Sequence, residues 1–165
     1  MSNKSALVIG GNLAGVQAAL DLARSGIQVY LVEESPFLGH RNEGQVSPRS
    51  PLLTAQMLEA VKHPGIEVLT NARVTALRGQ RGDFRVEIQR APRYVDLTKC
   101  TACGDCEPVC PVTVSVTCPE PGRRNGRSRK AIFGGHGHRT VPNVFAIEKR
   151  GIAPCKAACP GGSTS

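Results

Sequence analysis

All seven cysteines of this chain lie at or beyond position 100, and four of them form one run: Cys100, Cys103, Cys106 and Cys110, followed by Pro111. A tetrahedral cluster needs thiolates that converge from several directions. Short gaps let a tight loop carry three sulfurs around one face of a cube, and the CxxCxxCxxxCP spacing is that of a [4Fe-4S] ligand run. Gly104 lets the backbone pass close to such a cluster, where amide N–H groups offset its negative charge. Pro111 steers the chain away after the fourth ligand. Zinc sites usually pair two CxxC units across a longer loop, so the spacing fits zinc poorly.

Which sulfurs share one cube stays open on spacing alone. The simplest assignment puts Cys100, Cys103, Cys106 and Cys110 on one cluster. In two-cluster ferredoxins the fourth cysteine of such a run serves the other cluster. A crossed arrangement would complete the first site with Cys159 and group Cys110 with Cys155 and Cys118. Otherwise Cys118, Cys155 and Cys159 are free thiols.

The chain has 165 residues, room for one ordinary domain or a small domain plus a metal-built module. Aromatics are 4% and tryptophan is absent, so any core is aliphatic. Gly and Pro concentrate after position 91, which makes the second part loop-rich and in need of a staple. The start, Met1 to Ser5, is polar, and the apolar run Ala6 to Ile9 is too short for an export signal. No apolar stretch approaches the ~18 residues of a membrane span. These features lead us to expect a cytoplasmic chain whose clustered cysteines are metal ligands rather than disulfides.

The formal net charge is +8. The densest basic run, Arg123 to Lys130, lies in a Gly/Pro-rich linker without interleaved aromatics. That reads as a solvated linker, or a surface for an acidic partner, rather than a nucleic-acid site. His63 sits at a helix end, where a partial positive charge is favoured. His136 and His138, in Gly-Gly-His-Gly-His, read as a surface loop, with a metal site as the alternative. No nucleophile–base pair or paired carboxylates can be argued.

The first part reads differently. Ala6 to Ile9 is a short buried strand ending in Gly10-Gly11. Leu13 to Ser25 has helical spacing, with Leu13, Val16, Gln17, Leu20 and Ala23 or Arg24 in step and Gly26 as its stop. Gln28 to Glu33 is a second strand ending in an acid. Together they open a βαβ unit. Pro51 to Val61 is a second helix, with Leu52, Leu53, Met57, Leu58 and Val61 able to share a face, and Ile66 to Leu69 is a third strand. Val74 to Leu77 and Phe84 to Ile88, around a turn at 79–83, read as an antiparallel hairpin added to the parallel sheet. Composition changes near Ala91-Pro92, which divides the chain into residues 1–91 and 92–165.

Gly10-Gly11-Asn12-Leu13-Ala14-Gly15 stands between strand and helix, where a dinucleotide fingerprint belongs. Gly10 makes the tight turn and Gly15 allows close helix–strand packing. The helix N-terminus, reached through Gly11, Asn12 and Ala14, would receive a pyrophosphate. Asn12 replaces the middle glycine, and its side chain takes space that phosphates want. Glu33, with Glu34 beside it, is placed to accept from ribose hydroxyls. A degenerate unit that only packs is the alternative.

The segments 6–23 and 29–33, with His63 to Thr70, Pro92 to Asp96, the Cys100 run, Arg129 to Ile132 and Val141 to Val144, occur in the order of one family. They resemble the A-subunit of heterodisulfide reductase. The resemblance implies an FAD domain interrupted by a ferredoxin insert, with FAD on Gly10, Gly15 and Glu33. It also implies electron transfer between flavin and clusters, and other redox subunits of a heterodisulfide-reductase-like complex as partners. Three departures stand out: Asn12, His40 where a second glycine is usual, and a loop from Asn42 to Leu53 without the cysteines often found there. The sequence also ends at Ser165, before the rest of a flavin domain would return.

The expected fold is therefore α/β: a Rossmann-like FAD-binding half domain with a hairpin, then a small ferredoxin-like iron–sulfur module. The expected function is electron transfer through a [4Fe-4S] cluster within a flavin-dependent oxidoreductase. The alternative is a truncated cluster-binding module that binds no flavin and has no catalysis of its own.

Overall fold

The computed structural model describes residues 4–39, 51–116, 127–134 and 141–148. The chain divides into two compact units between Pro92 and Arg93. His40, Cys118, His136, His138, Cys155 and Cys159 lie outside the described residues, as does the loop from Asn42 to Ser50.

The first unit opens with β1 (Ser5–Ile9), α1 (Leu13–Arg24) and β2 (Gln28–Glu33). It continues with α2 (Pro51–Lys62) and β3 (Ile66–Thr70). The three strands form one parallel sheet in the order β1-β2-β3, with Ala6 opposite Val29 and Val29 opposite Ile66. Helix α1 buries Val16, Ala19, Leu20 and Ala23, the i, i+3, i+4, i+7 stripe of an amphipathic helix. Full burial of Leu20 alone contributes about 2 kcal/mol. Leu13, placed on that face by spacing, is instead 39% exposed at the helix start.

Helix α2 corrects the reading more strongly. Met57 and Ala60 are buried, while Leu58 and Val61 are 47% and 44% exposed. Among the described side chains of α2, the buried stripe is Met57 and Ala60. Where the chain leaves β2, two side chains are fully buried, Phe37 and Leu38.

The hairpin forms from β4 (Ala72–Gln80) and β5 (Asp83–Arg90), paired antiparallel. Its strands close to a two-residue turn, Arg81-Gly82, with Gly82 at φ +92°. It does not add to the parallel sheet but makes a two-stranded sheet of its own. Asn71, at φ 57°, lies between β3 and β4 and turns the chain out of the sheet. Asparagine tolerates this left-handed conformation better than most residues.

The second unit is built of turns and short ribbons. Strands β6 (Thr113–Val116) and β7 (Arg127–Lys130) pair antiparallel, as do β8 (Ile132–Gly134) and β9 (Phe145–Ile147). Its core gathers Val95, Cys106, Cys110, Val114, Ala131, Ile132, Phe145 and Ile147, with Cys100 packed against it. Two of the eight core side chains are thus thiols.

Candidate functional site: a glycine turn and a cysteine loop

In the first unit, Gly10 adopts φ +103° and its N–H donates to Val32 O, so the chain leaves β1 through a turn that only glycine enters freely. A Cβ on Gly15 would stand 1.9 Å from Gly10 O, so helix and turn approach too closely for any side chain. A Cβ on Gly11 would meet Leu38 Cδ2 at 2.4 Å. The buried Leu38 therefore floors the turn, a role that no spacing rule points to. Gly39 N–H also donates to Gly11 O at 2.9 Å.

Asn12 is in extended conformation (φ −79°, ψ 179°), so the position needs no glycine for its backbone. Its Oδ1 accepts the Gly15 N–H at 2.9 Å, making it the N-cap of α1. The N–H groups of Leu13 and Ala14 have no intrahelical acceptor within reach and face the turn's end of the helix dipole. Ala14 is exposed there. Glu33 Oε2 accepts from Gly11 N–H at 2.6 Å, and Oε1 accepts from Ser35 N–H at 2.7 Å. Each carboxylate oxygen keeps a further lone pair for a hydroxyl donor. Glu34 is exposed beside it. The residues thus fit a dinucleotide: glycine turn, helix amides at the pyrophosphate position, and an acid at the ribose position. Asn12 removes one amide from that set.

In the second unit, the cysteine run is a succession of turns. Ala102 and Gly104 take φ 58° and 90°, which reverse the chain between Cys100 and Cys106. Cys106 and Cys110 are buried, Cys100 is half-buried and Cys103 is exposed. The opening is set by Asp96, whose Oδ1 accepts from both the N–H and the hydroxyl of Thr98, at 2.8 and 2.7 Å. The hydrogen bonds from Thr98, its side chain first, hold the Asp96 carboxyl below the usual carboxylate range. Asp96 O in turn accepts the Cys100 N–H at 3.1 Å.

Later strands hold both ends of the run. Phe145 N–H, from β9, donates to Cys100 Sγ at 3.5 Å. Lys130 Nζ, from β7, donates to Cys110 O at 2.7 Å. Cys110 Sγ faces Val112 O at 3.5 Å. Among the described residues, no three His, Cys, Asp or Glu side chains gather to hold a metal ion. The fit to an iron–sulfur cluster lies in the donors themselves: four thiols in one turning loop, an N–H aimed at one sulfur, and an apolar wall that keeps water off two others.

A glycine-turn βαβ unit followed by a four-cysteine loop is the arrangement of a dinucleotide-binding oxidoreductase with an iron–sulfur module. Residues 1–101 match the family model described as pyridine nucleotide-disulphide oxidoreductase, and residues 93–114 match the 4Fe-4S binding domain. The chain belongs to the pyridine nucleotide-disulphide oxidoreductase family.

Two curated relatives are heterodisulfide reductase A-subunits. The iron-sulfur A-subunit of CoB–CoM heterodisulfide reductase from Methanocaldococcus jannaschii is 39% identical over 96% of this chain and 25% of that protein. A Methanopyrus kandleri protein of the same name is 42% identical over 86% of this chain and 22% of that protein. The resemblance to the heterodisulfide reductase A-subunit is thus borne out, and with it the α/β fold class and the pairing of FAD with a [4Fe-4S] cluster. The chain spans about a quarter of the length of the curated relatives it matches. Among solved structures, a FAD-dependent pyridine nucleotide-disulphide oxidoreductase from Desulfovibrio vulgaris is similar with a TM-score of 0.40 and 26% identity, over 52% of this chain and 20% of that one. Among the described residues, no helix is long and apolar enough to cross a membrane.

Proposed function

We propose that this chain passes single electrons through one [4Fe-4S] cluster held by Cys100, Cys103, Cys106 and Cys110, and that residues 1–91 bind FAD as its two-electron partner. The observation that carries the reading is the burial of Cys106 and Cys110 in the core of the second unit, with the Phe145 N–H directed at Cys100 Sγ. When bound, such a pair joins one-electron to two-electron chemistry. The chain's own part is binding and electrostatics. The Gly10–Gly15 turn and the Leu13 and Ala14 amides receive the pyrophosphate, Glu33 accepts from the ribose, and the thiolates ligate iron from a loop walled by Val95, Val114, Ile132 and Phe145. No side chain acts as acid, base or nucleophile. The setting would be a cytoplasmic oxidoreductase assembly of the heterodisulfide-reductase kind, in which other redox subunits donate and accept the electrons and nucleic acid has no role.

The test is iron and flavin content per chain after anaerobic purification, repeated on Cys103→Ala. We expect ~4 irons per chain, their loss in the variant, and FAD retained in both. Unchanged iron in Cys103→Ala sinks the ligand assignment. A second reading, a cluster module without flavin, is favoured by Asn12 Oδ1, which occupies the Gly15 N–H. Iron at full content with no flavin absorbance would establish it over the first.

A further inference from the structure

We infer that Lys130 is a positioning residue that sets the reduction potential of the cluster, acting through the main chain of Cys110. The inference rests on the cluster assignment above and goes beyond it. Lys130 ends β7, opposite Thr113 in the register, and its ammonium donates to Cys110 O at 2.7 Å. That carbonyl belongs to the last residue of the ligand run. The contact therefore brings a full positive charge against the backbone that carries one of the sulfurs.

Three features make this charge effective. It is half-buried, so water and salt screen it less than a surface charge. It takes part in no ion pair among the described residues, whereas its neighbour Arg129 is matched by Glu148 at 3.0 Å. The acids inside the run, Asp105 and Glu107, are exposed, where solvent weakens their opposing field. Reduction adds one electron to the cluster and breaks or forms no bond. The reduced form carries one more negative charge, and a fixed cation nearby stabilises it. The Phe145 N–H on Cys100 Sγ acts in the same sense at the other end of the run. Removing the lysine charge should therefore make the cluster harder to reduce.

The experiment is a redox titration of the anaerobically purified full chain, followed by the cluster's optical or paramagnetic signal. It compares wild type with Lys130→Gln and Lys130→Arg. Lys130→Gln keeps a donor for Cys110 O without the charge, and Lys130→Arg keeps both. We expect Lys130→Gln to lower the reduction equilibrium on the order of tenfold, or ~59 mV for one electron, with Lys130→Arg near wild type. Full iron in Lys130→Gln with an unshifted potential overturns the inference. So does loss of iron in Lys130→Gln with retention in Lys130→Arg, because the lysine then holds the loop rather than tuning it. Absence of iron in wild type is a different result: it refutes the cluster assignment itself.

Discussion

Glu33 closes the glycine turn from the end of the neighbouring strand, its Oε2 accepting the Gly11 N–H at 2.6 Å. The same carboxylate takes the Ser35 N–H on Oε1 at 2.7 Å. One side chain thus fixes the turn after β1 and the path after β2. Hydrogen bonds to a charged acceptor are the stronger kind. Glu33→Ala should lower unfolding stability by about 2 kcal/mol. It should also weaken flavin retention beyond what the stability loss explains. Glu33→Gln keeps an acceptor oxygen and should fall between. Denaturant unfolding and flavin content on the same samples check this, and flavin retention unchanged in Glu33→Ala removes the residue from the site.

Asn12 bears a separate prediction, because its cap and its obstruction come from one atom. Oδ1 stabilises α1 by accepting the Gly15 N–H, and in doing so removes that N–H from an incoming phosphate. Replacing an N-cap asparagine by glycine costs a few tenths of a kcal/mol, and by alanine about 1. Asn12→Gly should therefore bind FAD more tightly than wild type at nearly unchanged stability. Asn12→Ala should be less stable by about 1 kcal/mol. Flavin titration of the apoprotein separates the effects. Weaker binding in Asn12→Gly would mean that the asparagine itself contacts the ligand.

Much of the first unit can be read from spacing, because its signals are local. The strand Ala6 to Ile9, the Val16–Leu20–Ala23 stripe and the acid ending β2 lie within one βαβ unit, where periodicity decides the faces. Gly10 and Gly15 follow from steric rules at fixed offsets. The cysteine run is legible for the same reason. What spacing misses are contacts between distant residues. Leu38 is buried under Gly11 although it lies outside any periodic segment. Leu58 and Val61 keep the helical period, yet both stay about half exposed. Lys130 and Phe145 meet the cysteine loop only after β6 to β9 have folded back, and no count of residues announces it.

Asn71 is the clearest such case, and it supports a test. It turns the chain at φ 57° between β3 and β4, and its Nδ2 donates to Ala91 O at 2.7 Å and to Pro92 O at 3.3 Å. Its own carbonyl accepts the Ala91 N–H at 2.7 Å. The residue therefore ties the entry of the hairpin to its exit. Asn71→Ala loses the side-chain bonds and must hold a left-handed backbone, for a combined loss of about 2 kcal/mol. Asn71→Gly loses the bonds alone and should recover roughly 1 kcal/mol of that. Equal destabilisation by both variants would show that conformation contributes nothing here.

Asp96 gives the cysteine loop a dependence on pH. Its carboxylate accepts from the Thr98 hydroxyl and N–H, and these bonds hold its pKa below the ordinary carboxylate value. A group whose pKa is lower in the folded state stabilises that state fully above its unfolded pKa, about 3.9 for aspartate, and loses the contribution as pH falls through the folded value. Asp96→Asn has no proton to take up in this range. The stability difference between wild type and Asp96→Asn should thus be constant above about pH 5 and shrink progressively as pH falls below about 4. Denaturant midpoints of the two proteins at matched pH values measure it. A difference that stays constant across that range would mean the turn before Cys100 is held by shape and not by the carboxylate's charge.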